Sequence, residues 1–147
     1  MRIREFRTEL WLPRPRDEVF AFFADAANLD AITPPWVHFQ TVTPAPIEMR
    51  PGTLIDHKLR IHGFPIRWRS RITVWEPPGR FVDEQVRGPY RLWRHEHIFT
   101  ERDGGTLVQD RVQYAVAFDF LVHKLFVERD VAKIFAHRTE TLRRRFC

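Results

Sequence analysis

WEPPGRFVDEQVRGPYRLWRHEHIF, residues 75–99, holds the decisive pattern of the chain. Two runs, Arg80–Arg87 and Tyr90–Thr100, are bounded by Pro77-Pro78-Gly79 and Gly88-Pro89, residue types that punctuate a chain at turns. The second run alternates. On a strand, Trp93, His95, His97 and Phe99 share one face, and Leu92, Arg94, Glu96 and Ile98 share the other. Connections this short join antiparallel neighbours, so the segment predicts a meander.

The same grammar extends both ways. Upstream lie strands over Val37–Val42, Thr53–His62 (after Pro51-Gly52) and Ile66–Trp75, the last two joined by a turn at Gly63-Phe64-Pro65. Downstream, Asp103-Gly104-Gly105 turns the chain into a strand over Thr106–Val116. Residues 3–12 form a first strand. PRPRDEVFAFFADAANLDAI, residues 13–32, then reads as helix: Pro15 suits an opening turn, Asp17 and Glu18 suit its dipole, and Val19, Phe20 and Phe23 form a stripe. That helix is expected to break near Asn28 into a second short one, ended by Thr33-Pro34-Pro35-Trp36. From Phe118 to Arg145 there is neither Gly nor Pro, and Leu121, Leu125, Ala132, Phe135, Leu142 and Phe146 recur at helical spacing. This predicts one amphipathic helix of roughly 40 Å. The expected class is α+β: a seven-stranded curved antiparallel sheet wrapped around a long C-terminal helix, with two short helices after the first strand.

A chain of 147 residues supports one domain, residues 1–147, with a single core. No apolar run approaches the roughly 20 residues that span a bilayer, and the N-terminus lacks a signal-peptide pattern. A cytoplasmic protein without membrane insertion is expected. Cys147 is the only cysteine, so there is no internal disulfide and no cysteine-based zinc cluster. The net charge of +5 comes with arginines at 67, 69, 71 and 143–145. These read as a solvated strand face and a helix C-terminus, not a specific nucleic-acid surface.

Alternation assigns faces to the strands. Ile55, His57, Leu59 and Ile61 point inward, opposite Asp56, Lys58, Arg60 and His62. On the next strand Ile66, Trp68, Ile72 and Val74 oppose the arginines at 67, 69 and 71. Val108, Asp110, Val112 and Tyr114 form the more apolar face of the last strand. In FVDEQVR, the set Phe81, Asp83 and Gln85 and the set Val82, Glu84 and Val86 are equally defensible. The interior therefore holds His57, His95, His97, Asp110 and Tyr114. Each buried polar group left unpaired costs about 1–3 kcal/mol, so these residues must pair, bridge through water or line a cavity. Aromatics with a few convergent polar groups have the composition of a small-molecule pocket.

ITPPWVHF, WEPPGRFVDEQVRGPYRLWRHEHIF and DRVQYAV, in this element order, resemble the SRPBCC group, the START/Bet v 1-like superfamily, and within it bacterial cyclase/dehydrase-like or ligand-binding proteins. The resemblance covers nearly the whole chain. It implies a helix-grip fold with a hydrophobic cavity between sheet and helix for lipid-, isoprenoid- or polyketide-like molecules. It also implies that Asp83 and Gln85 lie on the cavity side.

The first functional reading is a binding module. His57, Trp68, Asp83, Gln85, Trp93, His95, His97, Phe99, Asp110 and Tyr114, with Trp36 on a lid, would contact a small apolar or amphipathic ligand. An alternative is a cyclase/dehydratase-like enzyme. There His95 or His97 serves as general base, Asp110 or Asp83 orients it, and Tyr114 donates to a developing enolate. A third is a metal site on His95 and His97, completed by Asp83, Asp110 or His57. A fourth keeps the histidines purely structural. No cofactor is expected, and either a monomer or a homodimer fits.

Overall fold

The computed structural model describes residues 1–147, excepting the side chains at positions 124 and 125. Strand β1 (Arg4–Leu12) leads into helices α1 (Arg16–Ala24) and α2 (Ala27–Ile32) and a 3₁₀ turn (Pro35–Val37). Strands β2 (Gln40–Thr41), β3 (Leu54–Ile61), β4 (Phe64–Glu76), β5 (Arg80–Arg87), β6 (Leu92–Arg102) and β7 (Gly105–Ala115) come next. Helix α3 (Asp119–Val122), a π turn (His123–Val127) and α4 (Glu128–Phe146) end the chain. The sheet has seven strands in the order β1-β7-β6-β5-β4-β3-β2, each pair antiparallel. The meander expected from the turn residues is present, and β1 closes it against β7 from Arg4↔Tyr114 to Leu12↔Thr106.

Helix α4 lies on the sheet through Val131, Phe135, Arg138, Leu142 and Phe146. Its last two apolar residues join Val19, Phe20, Phe22 and Phe23 of α1 over Leu10, Leu12, Phe81, Phe99 and Val108 of the sheet. Aromatic edges hold this end: Phe22 meets Phe146 at 5.3 Å and 90°, and Phe20 meets Phe99 at 5.1 Å and 71°. A second cluster, Val112, Tyr114, Val131 and Phe135, sits under the N-terminal half of α4.

Several expectations shift in detail. Val37–Val42 is not one strand: Pro34 and Pro35 favour a 3₁₀ turn, His38 adopts φ 50°, and only Gln40–Thr41 pairs. The break between α1 and α2 falls at Asp25-Ala26, before Asn28, and the Asp25 carboxylate accepts the Ala27 N–H at 3.0 Å. The β3–β4 turn is at His62-Gly63 (φ 49° and 82°), so Phe64 and Pro65 already belong to β4. Pro65 is tolerated because β5 pairing stops at Arg69, and its missing N–H breaks no ladder bond on that side.

A register shift between Ile72 and Val74 places Trp75, not Val74, on the inner face, 5.4 Å from Phe81. In the C-terminal helix, Leu121 and Ala132 are exposed although the spacing placed them on the stripe. The π turn takes an extra residue, and His123 comes inward instead. Leu125 lies outside the described residues.

Candidate functional site

The site grows from three adjacent strands. The alternation of β6 turns His95 and His97 inward, and both are buried. On β5 the inward set is Phe81, Asp83 and Gln85: Phe81 packs in the core opposite His97, and Asp83 lies opposite His95. On β7, Asp110 lies opposite His97. The hydrogen bonds run diagonally across this register. His95 Nε2 meets Asp110 Oδ1 at 2.7 Å, and His97 Nε2 meets Asp83 Oδ2 at 2.7 Å. The two imidazoles stack at 3.7 Å and 22°, and Phe81 covers the far face of His97 at 3.9 Å and 12°. From α4, Arg138 reaches down with Nη2 3.6 Å from Asp110 Oδ1, its guanidinium 5.3 Å from the Phe23 ring centre and 5.6 Å from that of Phe135.

Charge in this cluster is set by burial and by these contacts. Burial alone would raise the Asp110 carboxyl. Arg138, followed by the His95 hydrogen bond, outweighs it and holds the group well below the usual carboxylate range. For Asp83 the burial effect is likewise outweighed, chiefly by His97, and its pKa is lowered. Burial, reinforced by the neighbouring His95, pushes His97 down to about 4. Ionised carboxylates only accept, so each Nε2 carries the proton. His97 Nδ1 then holds a lone pair, 3.6 Å from Asp110 Oδ1, and is buried with no hydrogen-bond partner among the described residues. Arg138 Nε is buried and unpartnered in the same way.

Beside this cluster is a cavity of about 70 Å³. Phe23, Leu29, Ile32 and Ile72 give it an apolar side, and His57, Ser70, Asp83, His97 and Arg138 a polar one. His57 is buried, which lowers its pKa. Its Nδ1 lies 3.3 Å from Thr41 Oγ1, whose hydroxyl donates to Asp30 Oδ1 at 2.8 Å. Thr41 must therefore accept from His57, which leaves Nε2 as the imidazole acceptor.

Of the residues expected to surround a ligand, His57, Asp83 and His97 line this cavity, and His95 and Asp110 stand behind His97. The others lie elsewhere. Trp68, Trp93 and Tyr114 gather with Tyr90 in a separate aromatic cluster, where Trp68 meets Trp93 at 5.4 Å. The Tyr114 hydroxyl is 2.8 Å from His123 Nε2, not near His95 or His97. Gln85 clasps the Tyr90 backbone, donating to its carbonyl at 2.6 Å and accepting its N–H at 3.0 Å. Phe99 is in the core, 5.2 Å from Phe23. Trp36 is 57% exposed and rests edge-on to His137 at 5.6 Å. Sequence reasoning missed Ser70 and Arg138. The signal for Arg138 was available, because it falls on the Val131–Phe135–Leu142–Phe146 seam.

Asp83, His95 and His97 each offer a ligand atom, all within 4.8 Å of one another. The rings stack with centres 3.7 Å apart and planes 22° from parallel, however, so a shared ion would lie out of the plane of at least one imidazole, and both Nε2 atoms already serve carboxylates. The arrangement does not converge on a common metal position.

Comparison with known proteins agrees with this architecture. Residues 12–143 match the family described as polyketide cyclase / dehydrase and lipid transport. The chain belongs to that family, within the SRPBCC superfamily. Among solved structures it is similar to TTHA0849 from Thermus thermophilus (TM-score 0.78, 20% identity, 97% of each chain covered). It is also similar to Ms6760 from Mycobacterium smegmatis (TM-score 0.71, 16% identity, covering 97% of this chain and 94% of that one). Major latex-like protein 151 from Panax ginseng is a further likeness (TM-score 0.71, 11% identity, covering 98% and 97%). At these identities the likeness is one of fold. A sequence search of curated proteins finds no match. Among the described residues, no helix is long and apolar enough to cross a membrane.

Proposed function

We propose that the protein binds a small apolar or amphipathic molecule between the sheet and α4, with His57, Asp83, His97 and Arg138 meeting its polar end. One observation carries this reading: a largely apolar cavity is bordered by a buried charged cluster in which His97 Nδ1 and Arg138 Nε are unsatisfied among the described residues. Sealed cores pair such atoms. The family description, which joins cyclase/dehydrase and lipid transport, supports the same class of ligand.

The cavity volume, about 70 Å³, is well below the roughly 300–1,000 Å³ that holds a drug-sized ligand. It suits the end of a molecule, with the remainder running out past the half-buried Asn28, Leu29 and Met49. A general-base role is less well supported. Each histidine has the orienting carboxylate such a role needs, but His97, at about 4, is a weak base whose remaining nitrogen faces Asp110, and Tyr114 is bonded to His123.

Titration with the neutral fluorophore N-phenyl-1-naphthylamine tests the proposal. Saturable binding is expected in the wild type and loss of at least tenfold in affinity in Ala26→Leu, which adds bulk to the cavity wall. Binding that is absent, or indifferent to Ala26→Leu, sinks the reading.

A further inference from the structure

The hydrogen-bonding groups around the cavity are unequal in kind, and, on the reading that the cavity holds a ligand, this inequality names the ligand's polar group. Asp83 receives the His97 N–H on Oδ2, and among the described residues no hydrogen bond reaches Oδ1. His57, with its Nδ1 proton turned to Thr41, offers Nε2 as an acceptor. Ser70 accepts the Trp68 indole N–H at 3.1 Å and keeps its own proton to donate. Among the described residues the only cation on the wall is Arg138, whose charge is matched by Asp110 at 3.6 Å. Its Nε–H is, among those same residues, the single buried donor on the wall without a partner.

Charge follows from the same census. Arg138 and Asp110 offset each other, and His57 and His97 are neutral near pH 7 because burial lowers both. Asp83 is ionised and faces no second cation among the described wall residues. A carboxylate or phosphate entering the cavity would set a like charge beside Asp83 in a poorly hydrated space, where repulsion is weakly screened. A hydrocarbon end would leave Asp83 Oδ1 and Arg138 Nε unsatisfied. A hydroxyl answers both needs. Its proton goes to the Asp83 carboxylate, and its oxygen accepts the Arg138 Nε–H.

We propose that the cavity takes the hydroxyl of an uncharged amphipathic molecule, an alcohol or a phenol, and discriminates against the carboxylate of matching shape. The proposal separates ligands that share an apolar body and differ only at the tip. It assigns the discrimination to Asp83, with Arg138 fixing the hydroxyl's orientation.

Calorimetric titration at pH 7.5 with 4-butylphenol, 4-butylbenzoate and butylbenzene tests it. The phenol is expected to bind about tenfold or more tightly than either of the others, the worth of one charge-assisted hydrogen bond. In Asp83→Asn, nearly the same shape without the charge, the phenol should weaken about tenfold and the benzoate should strengthen, closing the gap. The wild-type ranking decides the matter even if that variant does not fold. Equal affinities for the three probes, or the benzoate binding tightest, overturn the hydroxyl assignment while leaving the cavity a ligand site. Failure of all three probes with N-phenyl-1-naphthylamine still bound also overturns it. Failure of that fluorophore as well removes the ligand site itself.

Discussion

His97 concentrates the physical chemistry of the site in one residue. It is pressed between Phe81 and His95, and its pKa falls to about 4 from the ordinary 6.5. Between those two values the unfolded chain binds a proton that the folded chain refuses. Stability is therefore full above about pH 6.5 and is lost as pH falls toward 4, by an amount on the order of 3 kcal/mol. Asp83 and Asp110, lowered in the fold, act in the same sense at still lower pH, losing their contribution as they are protonated. Urea midpoints should drop steeply between about pH 7 and 4.5, and His97→Gln should flatten that dependence. An unchanged profile in the variant would place the titration elsewhere. Arg138 and Asp110 are each 8% exposed, so removing one strands the other's charge. Arg138→Met is expected to cost about 3–5 kcal/mol, and the double change with Asp110→Asn less than the sum of the two single changes. Additive costs in a denaturation cycle would contradict direct coupling. The inward direction of His95, His97 and Asp110 was legible in the alternation of β6 and β7. Their diagonal pairing was not, because it depends on the register of β5 against β6 and β7, which no single strand encodes.

At the scale of elements, turns were the most readable feature and interruptions the least. Asp103-Gly104 (φ 49° and 76°) closes β6 onto β7 within the Asp103-Gly104-Gly105 stretch that the sequence marks as a turn, with Gly105 already in the strand. Its neighbour Gly105 is needed for another reason. A Cβ there would collide with the Leu12 carbonyl and lie 2.8 Å from the Trp11 ring, so β1 reaches its place beside β7 only over a glycine. Gly104→Ala should cost about 1 kcal/mol through its left-handed backbone. Gly105→Ala should cost more, up to about 3 kcal/mol, because β1 must move. Thermal midpoints in the reverse order would contradict this picture of the β1–β7 seam. The extra residue at Ile72–Val74 and the π turn at His123–Val127 have no local spelling, and each one changes the phase between the residues on its two sides. Trp75 and His123 consequently face inward, and Val74 and Leu121 do not. Trp36, on its Pro-Pro-Trp segment, stays outside because its ring finds His137 on the helix surface.

In the whole molecule, a sheet curved around one helix encloses space, and this chain fills most of it with its own aromatics. Phe20, Phe22, Phe23, Phe81, Phe99 and Phe146 occupy the end beneath α1, and Tyr90, Trp93 and Tyr114 the other. The cavity borders the first of these groups, through Phe22, Phe23 and Phe81, beside the ionic cluster. The element order and the family phrases disclosed this architecture in advance. The cavity's size and its border on Arg138 emerged only from packing. Ligand binding is put to its sharpest test by native mass spectrometry of protein purified without detergent, followed by denaturing analysis of any released molecule. A one-to-one complex with an uncharged, hydroxyl-bearing apolar molecule is expected, either carried from the cell or formed on adding 4-butylphenol. Bare protein in both preparations would contradict ligand binding and leave His57, Asp83, His97 and Arg138 as a structural cluster.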